Sequence, residues 1–226
     1  MITSDLMLRE HVQNELGWEP SLNSETIGVG VHDAVVTLSG HVESYAQKHA
    51  AGKVVAAIRG VRGVANELDV KLPIDSERSD EDIAHTIASI FTWSSSIPKN
   101  VIRVEVSQGW VTLEGSVPWN FQRDAAEAAV KDLLGVKGLS NLVTVNGQTG
   151  VRVPHSYLEA AIRRKEPDFI EPIALRIEGT SVIIAGKVRS LEAKGRIERT
   201  AWNFPGVMRV ENLLEVEPSA EVIELV

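Results

Sequence analysis

The sequence predicts an α+β protein of three tandem αββαβ units, each a three-stranded mixed sheet covered by two helices. Three observations carry that prediction. The first is an internal repeat: Gly40 and Asn66 recur at the same separation as Gly115 and Asn141, and again as Gly186 and Asn212. The second is apolar alternation on both sides of a tight turn before each glycine. The third is an amphipathic segment between each glycine and its asparagine, closed by Gly60-Val61, Gly135-Val136 or Gly206-Val207.

In the first unit, Ser4-Asp5 is a helix start, and Leu8, Val12 and Leu16 share one helical face. Pro20 ends that helix, because a proline disfavours helix in the residue before it. Ile27, Val29 and Val31 alternate as a strand, His32-Asp33-Ala34 reads as the turn, and Val36, Leu38 and Val42 form the return strand. Ala51, Val55 and Ile58 at i, i+4 and i+7 make a second helix, which Gly60 closes. Val64, Leu68 and Val70 form the last strand, parallel to the second through a right-handed crossover.

The second unit repeats the plan. Ser79-Asp80-Glu81-Asp82 has the capping-box pattern ahead of Ile83, Ile87 and Phe91. Strands follow at Ile102–Val106, Val111–Val117 and Leu139–Val145, with Gln108-Gly109 as the turn. In the third unit the strand positions persist (Ile173–Ile177, Val182–Val188, Val210–Val216), but Pro154 stands where Ile83 did. Its first helix is therefore expected to be shorter, with Ser156 and Glu159 offering a later cap, after a linker at 146–150. The units are placed at 1–73, 78–147 and 151–218, with a C-terminal tail at 219–226.

Composition excludes several chemistries. There are no cysteines, so thiolate catalysis, disulfides and Cys-based metal sites are out. The net charge of −8 argues against a nucleic-acid binder, whose affinity rests on neutralising phosphates. No apolar run approaches the roughly 20 residues that span a bilayer, and the polar start shows no signal-peptide pattern. The expectation is a soluble cytoplasmic chain. The six histidines show no ligand-like spacing, no Gly-x-Ser-x-Gly is present, and Gly28-Val29-Gly30 lies inside a strand rather than at a helix N-terminus. No enzyme, metal or cofactor is expected.

Gly40, Gly115 and Gly186 fall in mid-strand, where a bulge or a close approach of the crossover helix needs them; a backbone gap for a ligand is the alternative. Asn66, Asn141 and Asn212 share phase with core residues, so each amide is expected to latch onto loop backbone beside the helix C-terminus.

The motifs Val36-Thr37-Leu38-Ser39-Gly40-His41-Val42 and Val111-Thr112-Leu113-Glu114-Gly115-Ser116-Val117 resemble the BON domain, as does each Gly-Val-x-x-apolar-x-Asn closure. The third copy, Val182-Ile183-Ile184-Ala185-Gly186-Lys187-Val188, lacks the threonine. That family is named for osmotically induced and nodulation proteins of bacteria, and its members are also described as transport-associated. The resemblance implies an αββαβ fold and a non-enzymatic, stress-related binding role at phospholipid or envelope surfaces. The alternative is a protein-interaction scaffold or oligomerisation module with no lipid ligand.

Candidate sites follow. Lys187, Arg189, Lys194, Arg196 and Arg199 cluster in the third unit, either as an anionic-headgroup patch or as a solvated face balanced by Glu192 and Glu198. Trp119, after Pro118, is a surface anchor for a bilayer interface or a partner. Trp18 and Trp93 occupy matching positions at helix ends and are expected to pack into the core. The sheet faces away from the helices carry Val35 and Thr37; Trp110, Thr112, Leu142 and Thr144; and Ile183, Ala185 and Leu213. Faces this apolar are expected to pack on one another or across a homo-oligomer.

Overall fold

The computed structural model describes residues 2–146, 155–166 and 173–217. All of the expected linker 146–150 beyond Asn146, the effect of Pro154 and the tail 219–226 lie outside the described residues. The first repeat comprises α1 (Ile2–Trp18), β1 (Ile27–His32), β2 (Val35–Val42), α2 (Tyr45–Ala57), β3 (Gly63–Asn66) and β4 (Asp69–Val70). The second comprises α3 (Asp80–Trp93), β5 (Ile102–Ser107), β6 (Trp110–Val117), α4 (Asn120–Lys131) and β7 (Gly138–Val145). The third comprises α5 (His155–Lys165), β8 (Ala174–Glu178), β9 (Ser181–Val188), α6 (Leu191–Trp202) and β10 (Arg209–Val216).

Each repeat is an antiparallel hairpin followed by a helical crossover to a parallel strand: β2 with β3, β6 with β7, β9 with β10. The hairpin turns explain their sequences. Asp33 and Ala34 take φ values of 48° and 61°, and Gln108 and Gly109 take 53° and 79°. Positive φ at both central residues gives a turn whose twist matches that of the strands. The first repeat differs in its last strand, which is interrupted at Glu67 and Leu68 and resumes as β4. The described part of the third repeat's first helix has 11 residues, and Ser156 lies within it rather than capping it; its start adjoins residues outside the described set.

Period-two burial puts one sheet face against the helices. Val111, Leu113 and Val117 of β6 are buried with Ile83, Ile87 and Phe91 of α3 and Ala126 and Val130 of α4. The third core repeats this with Val182, Ile184 and Val188, Leu158 and Ile162, and Ile197 and Ala201. In the first repeat Leu8, Val12, Leu16, Val36, Leu38, Ala51 and Val55 are buried. Backbone proximity divides the chain into two compact units, one of Met1–Gly40, Ala50–Leu68 and Thr149–Val226, the other of His41–His49 and Asp69–Gln148. Within the first, the Gly60 N–H donates to the Arg189 carbonyl at 3.0 Å. Within the second, Tyr45 packs against the Val111–Leu113 core, and burial, followed by the charge of Glu127, raises the pKa of its phenol.

Two locking devices recur among the described residues, an aspartate clamp in the first two repeats and an asparagine latch in the second and third. The Asp80 carboxylate at the start of α3 accepts from the turn N–H groups of Gln108 (2.7 Å) and Gly109 (2.8 Å). Asp5 does the same for Asp33 (3.0 Å) and Ala34 (3.2 Å). The second device is the repeated asparagine. The Asn141 amide donates to the Arg123 carbonyl (3.3 Å) and Glu127 (3.0 Å), and Asn212 donates to the Lys194 carbonyl (3.2 Å) and Glu198 (3.0 Å). The latch therefore grips the body of the crossover helix, not the loop beyond its C-terminus, because the helix lies directly across that strand. Gly52 stands where Glu127 and Glu198 stand, so the first repeat lacks the carboxylate.

The mid-strand glycines are also re-explained. A Cβ on Gly40 would lie 2.2 Å from the Thr26 carbonyl oxygen, and one on Gly115 would lie 2.1 Å from that of Val101. The close neighbour is the backbone entering the preceding strand, not the crossover helix. No bulge is present either, since pairing in β6–β7 runs unbroken through Gly115.

Candidate functional site

The second repeat places three of its exposed aromatics, Trp93, Trp119 and Phe121, at the end away from its hairpin turn. Asp80 pins the start of α3 to the hairpin turn, and α3 then runs 14 residues, about 21 Å, away from it. β5 returns six residues, about 20 Å, to the same turn. Trp93 and Val101 thus lie at the end opposite the turn. β6 also finishes there, leading into Trp119 and Phe121, and Val101 touches Gly115 near its end. Trp93 (87% exposed), Val101, Trp119 and Phe121 all face solvent. The Trp119 N–H donates to Gln122 Oε1 at 3.1 Å, which fixes the entry of α4 and with it the position of the ring.

Trp18 and Trp93 correct the expectation of core packing: both lie on the surface, Trp18 with 80% of its area accessible. The core face of each helix is filled by Leu8, Val12 and Leu16, or by Ile83, Ile87 and Phe91. Trp18 and Trp93 follow Leu16 and Phe91 by two residues, which carries them about 200° round the helix and onto the opposite side. Helical phase was the signal that would have found this.

A second surface is the sheet face turned from the helices. Trp110 lies over Gly138, its partner in register; a Cβ there would stand 2.2 Å from the indole ring. The indole N–H donates to Ser140 Oγ at 2.9 Å, so one ring face is seated and the residue stays 50% exposed. Leu142 is exposed on the same face, as are Val35 on the first sheet and Leu213 on the third.

The basic residues of the third repeat have partners of their own. Arg196 bonds Glu166 through Nε (2.9 Å) and Nη2 (2.6 Å) and pairs with Glu192 at 2.9 Å; the bond to Glu166 raises its pKa still further. Lys194 donates to the Leu214 carbonyl at 2.7 Å, and Lys187 lies 3.7 Å from Glu217. Arg189 is half-buried and Arg199 is exposed. Three of these five cations, Lys187, Lys194 and Arg196, are thus engaged by the repeat's own carboxylates or backbone.

The hairpin of the first repeat brings Asp5, His32 and Asp33 together, their ligand-type atoms within 4.8 Å. Sequence spacing missed this, because the contact crosses 27 positions. Asp5 is engaged by the turn amides, and His32 Nε2 lies 3.6 Å from the exposed Asp33 carboxylate. Among the described residues no helix is long and apolar enough to cross a membrane.

A family model of the BON domain matches residues 4–71, 79–147 and 159–218. Osmotically-inducible protein Y of Escherichia coli (strain K12) is 33% identical over 125 residues, covering 54% of this chain and 62% of that protein. The similarity therefore spans less than two thirds of that relative's length. Two solved structures of CdsD, a structural protein of the type III secretion system of Chlamydia trachomatis, are 14% identical. They cover 94% and 93% of this chain and 93% and 98% of their own, with a TM-score of 0.24 each, too low to carry a structural likeness.

Proposed function

The chain belongs to the BON domain family, and from that premise we propose a non-enzymatic, stress-related binding protein that associates peripherally with phospholipid surfaces. One observation carries this reading: Trp93, Val101, Trp119 and Phe121 are exposed together at one end of the second repeat. Tryptophan and phenylalanine favour the boundary between headgroups and acyl chains, where an apolar ring and a wet edge are both satisfied. The basic residues of the third repeat are weaker candidates for that role. Lys194 and Arg196 hold the repeat's own helices and strand, so reversing their charge is expected to damage the fold before it changes any surface affinity.

Co-sedimentation with neutral and anionic vesicles, at low and high salt, tests this. Binding to both vesicle types, largely independent of salt and lost in the Trp93→Ala/Trp119→Ala double variant, is the expected result. Salt-sensitive binding to anionic vesicles alone would return the role to Lys187, Arg189 and Arg199. No binding at all would leave the second reading, a protein scaffold. That reading is favoured by the seated Trp110 and the exposed Leu142 and Leu213 on the sheet faces turned from the helices. It includes a homo-oligomer formed through those faces.

A further inference from the structure

Neither the lipid nor the scaffold reading uses the outer edge of the second repeat's sheet. β5 is the edge strand of the sheet β5-β6-β7. Ser107 and Trp110 flank the two-residue turn and so form a hydrogen-bonded pair, as do Glu105 with Thr112 and Arg103 with Glu114. The N–H and C=O groups of Ile102, Val104 and Val106 therefore point away from β6, and no strand pairs with that side among the described residues. Arg103 and Glu105 are exposed, one on each side of Val104, on the sheet face turned from the helices. An unpaired edge is a template for another strand. What distinguishes this edge is a charge pattern that complements itself.

We propose that β5 pairs with β5 of a second copy of the chain, antiparallel about a twofold axis at Val104. In that register Val104 faces its own counterpart and Ile102 faces Val106 of the other copy, so every outward-pointing N–H and C=O of the strand is paired. Arg103 of each copy then stands opposite Glu105 of the other. Centring the pairing on Arg103 or on Glu105 instead sets like charges against each other, so the charges select one register. The corresponding places hold Gly28 and Gly30 in β1, and Ala174 and Arg176 in β8, and neither strand can make the reciprocal pair. The same axis brings the two helix layers together on one face. Asp80 holds the start of α3 to Gln108, four residues or about 13 Å beyond Val104. Ala88 lies eight residues or about 12 Å back along α3, which puts it near the axis. It is exposed, and with Ala84 it keeps that flank of the helix low. Glu81 and Lys99 both line the groove between α3 and β5. Glu81 stands at the turn end, and Lys99 about 17 Å from Val104 in the opposite direction. The twofold sets Glu81 of each copy beside Lys99 of the other, so complementary charge recurs in both layers, as an isologous contact requires.

Sedimentation velocity of the full chain over a concentration series tests this. A contact of one strand and one helix flank is small, so a reversible dimer with a Kd of about 1–100 µM is expected. Arg103→Glu or Glu105→Arg alone sets like charges opposite each other and is expected to weaken the dimer by about tenfold or more. The double variant Arg103→Glu/Glu105→Arg restores opposite pairs and should dimerise again. An equimolar mixture of the two single variants should form a heterodimer under conditions where each alone is monomeric. Ala88→Glu, at an exposed helical position near the axis, should also weaken the dimer. Amide exchange at Val104 and Val106 is expected to slow as the concentration of the parent chain rises, and circular dichroism checks the fold of each variant. A parent chain that stays monomeric up to about 1 mM would overturn the proposal. So would a dimer insensitive to the single reversals, or a double variant that remains monomeric. A dimer broken only by Trp110→Ala would place the contact on the sheet face and overturn it equally. Should a single reversal fail to fold, Ala88→Glu decides: an unchanged dimer refutes the pairing.

Discussion

Alanine at Gly115 and alanine at Gly186 are the same substitution at the same repeat position, yet the structure predicts different losses. Both glycines hold positive φ, 150° and 145°, so both variants pay a backbone strain of about 1–3 kcal/mol. The surroundings differ. At Gly115 the new Cβ would stand 2.1 Å from the Val101 carbonyl oxygen, whereas at Gly186 its nearest neighbour, the Ile173 Cα, is 3.4 Å away. A backbone oxygen cannot swing aside like a side chain, so the start of β5 must move, adding an overpacking cost of about 1–3 kcal/mol. Gly115→Ala is thus expected to lose about 4 kcal/mol and Gly186→Ala about 2 kcal/mol. Gly40→Ala, at 2.2 Å from the Thr26 oxygen, should resemble Gly115→Ala. Urea denaturation, followed by circular dichroism and tryptophan fluorescence, measures all three. Equal losses at Gly115 and Gly186 would show that conformation alone matters, and would refute the steric argument.

Two further outcomes test the locks described above. Asp80→Ala removes two charge-assisted hydrogen bonds at a solvent-facing turn, and about 2 kcal/mol is expected after allowing for water that replaces them. Amide exchange at Gln108 and Gly109 should accelerate in that variant; unchanged protection would mean that the carboxylate is incidental. Arg196→Ala strands Glu166, whose side chain is 11% exposed, while Arg196 itself is 39% exposed. That partial exposure reduces the cost to about 2 kcal/mol, below that of a fully buried pair. Adding Glu166→Leu should recover part of it, and a double variant less stable than Arg196→Ala would contradict the pairing.

The fold was legible because its signals are periodic and occur three times. Val36, Leu38 and Val42 alternate as a strand must, and their counterparts at 111, 113, 117 and 182, 184, 188 average out local accident. What could not be read depends on contacts between positions far apart. Asp5 and Asp80 share a place in the repeat, but a first-turn aspartate looks like any helix cap until a turn is seen beside it. The carbonyls of Thr26 and Val101 carry no signature of their own, so the glycines opposite them were assigned the wrong neighbour. Trp18 and Trp93 were misread by weighing hydrophobicity over helical phase. The exposed end carrying Trp93, Val101, Trp119 and Phe121 needed the length of α3 and the return of β5 before four scattered residues could be placed at the same end of the repeat.

The aspartate clamp has a consequence for how the first two repeats come together. Asp80 and its turn amides are separated by 28 and 29 positions, so the bond closes a long loop and repays its entropy only when both ends are in place. The hairpin alone is a local structure, and α3 alone is a marginal helix. Joining them makes a unit of helix and two strands that precedes the crossover, which the Asn141 latch then fastens from the other side of the sequence. The second repeat is thus fastened twice, by a carboxylate in its first half and by an amide in its second. The first repeat, with Gly52 in place of the latching glutamate, has the weaker second half and is the one whose last strand is broken.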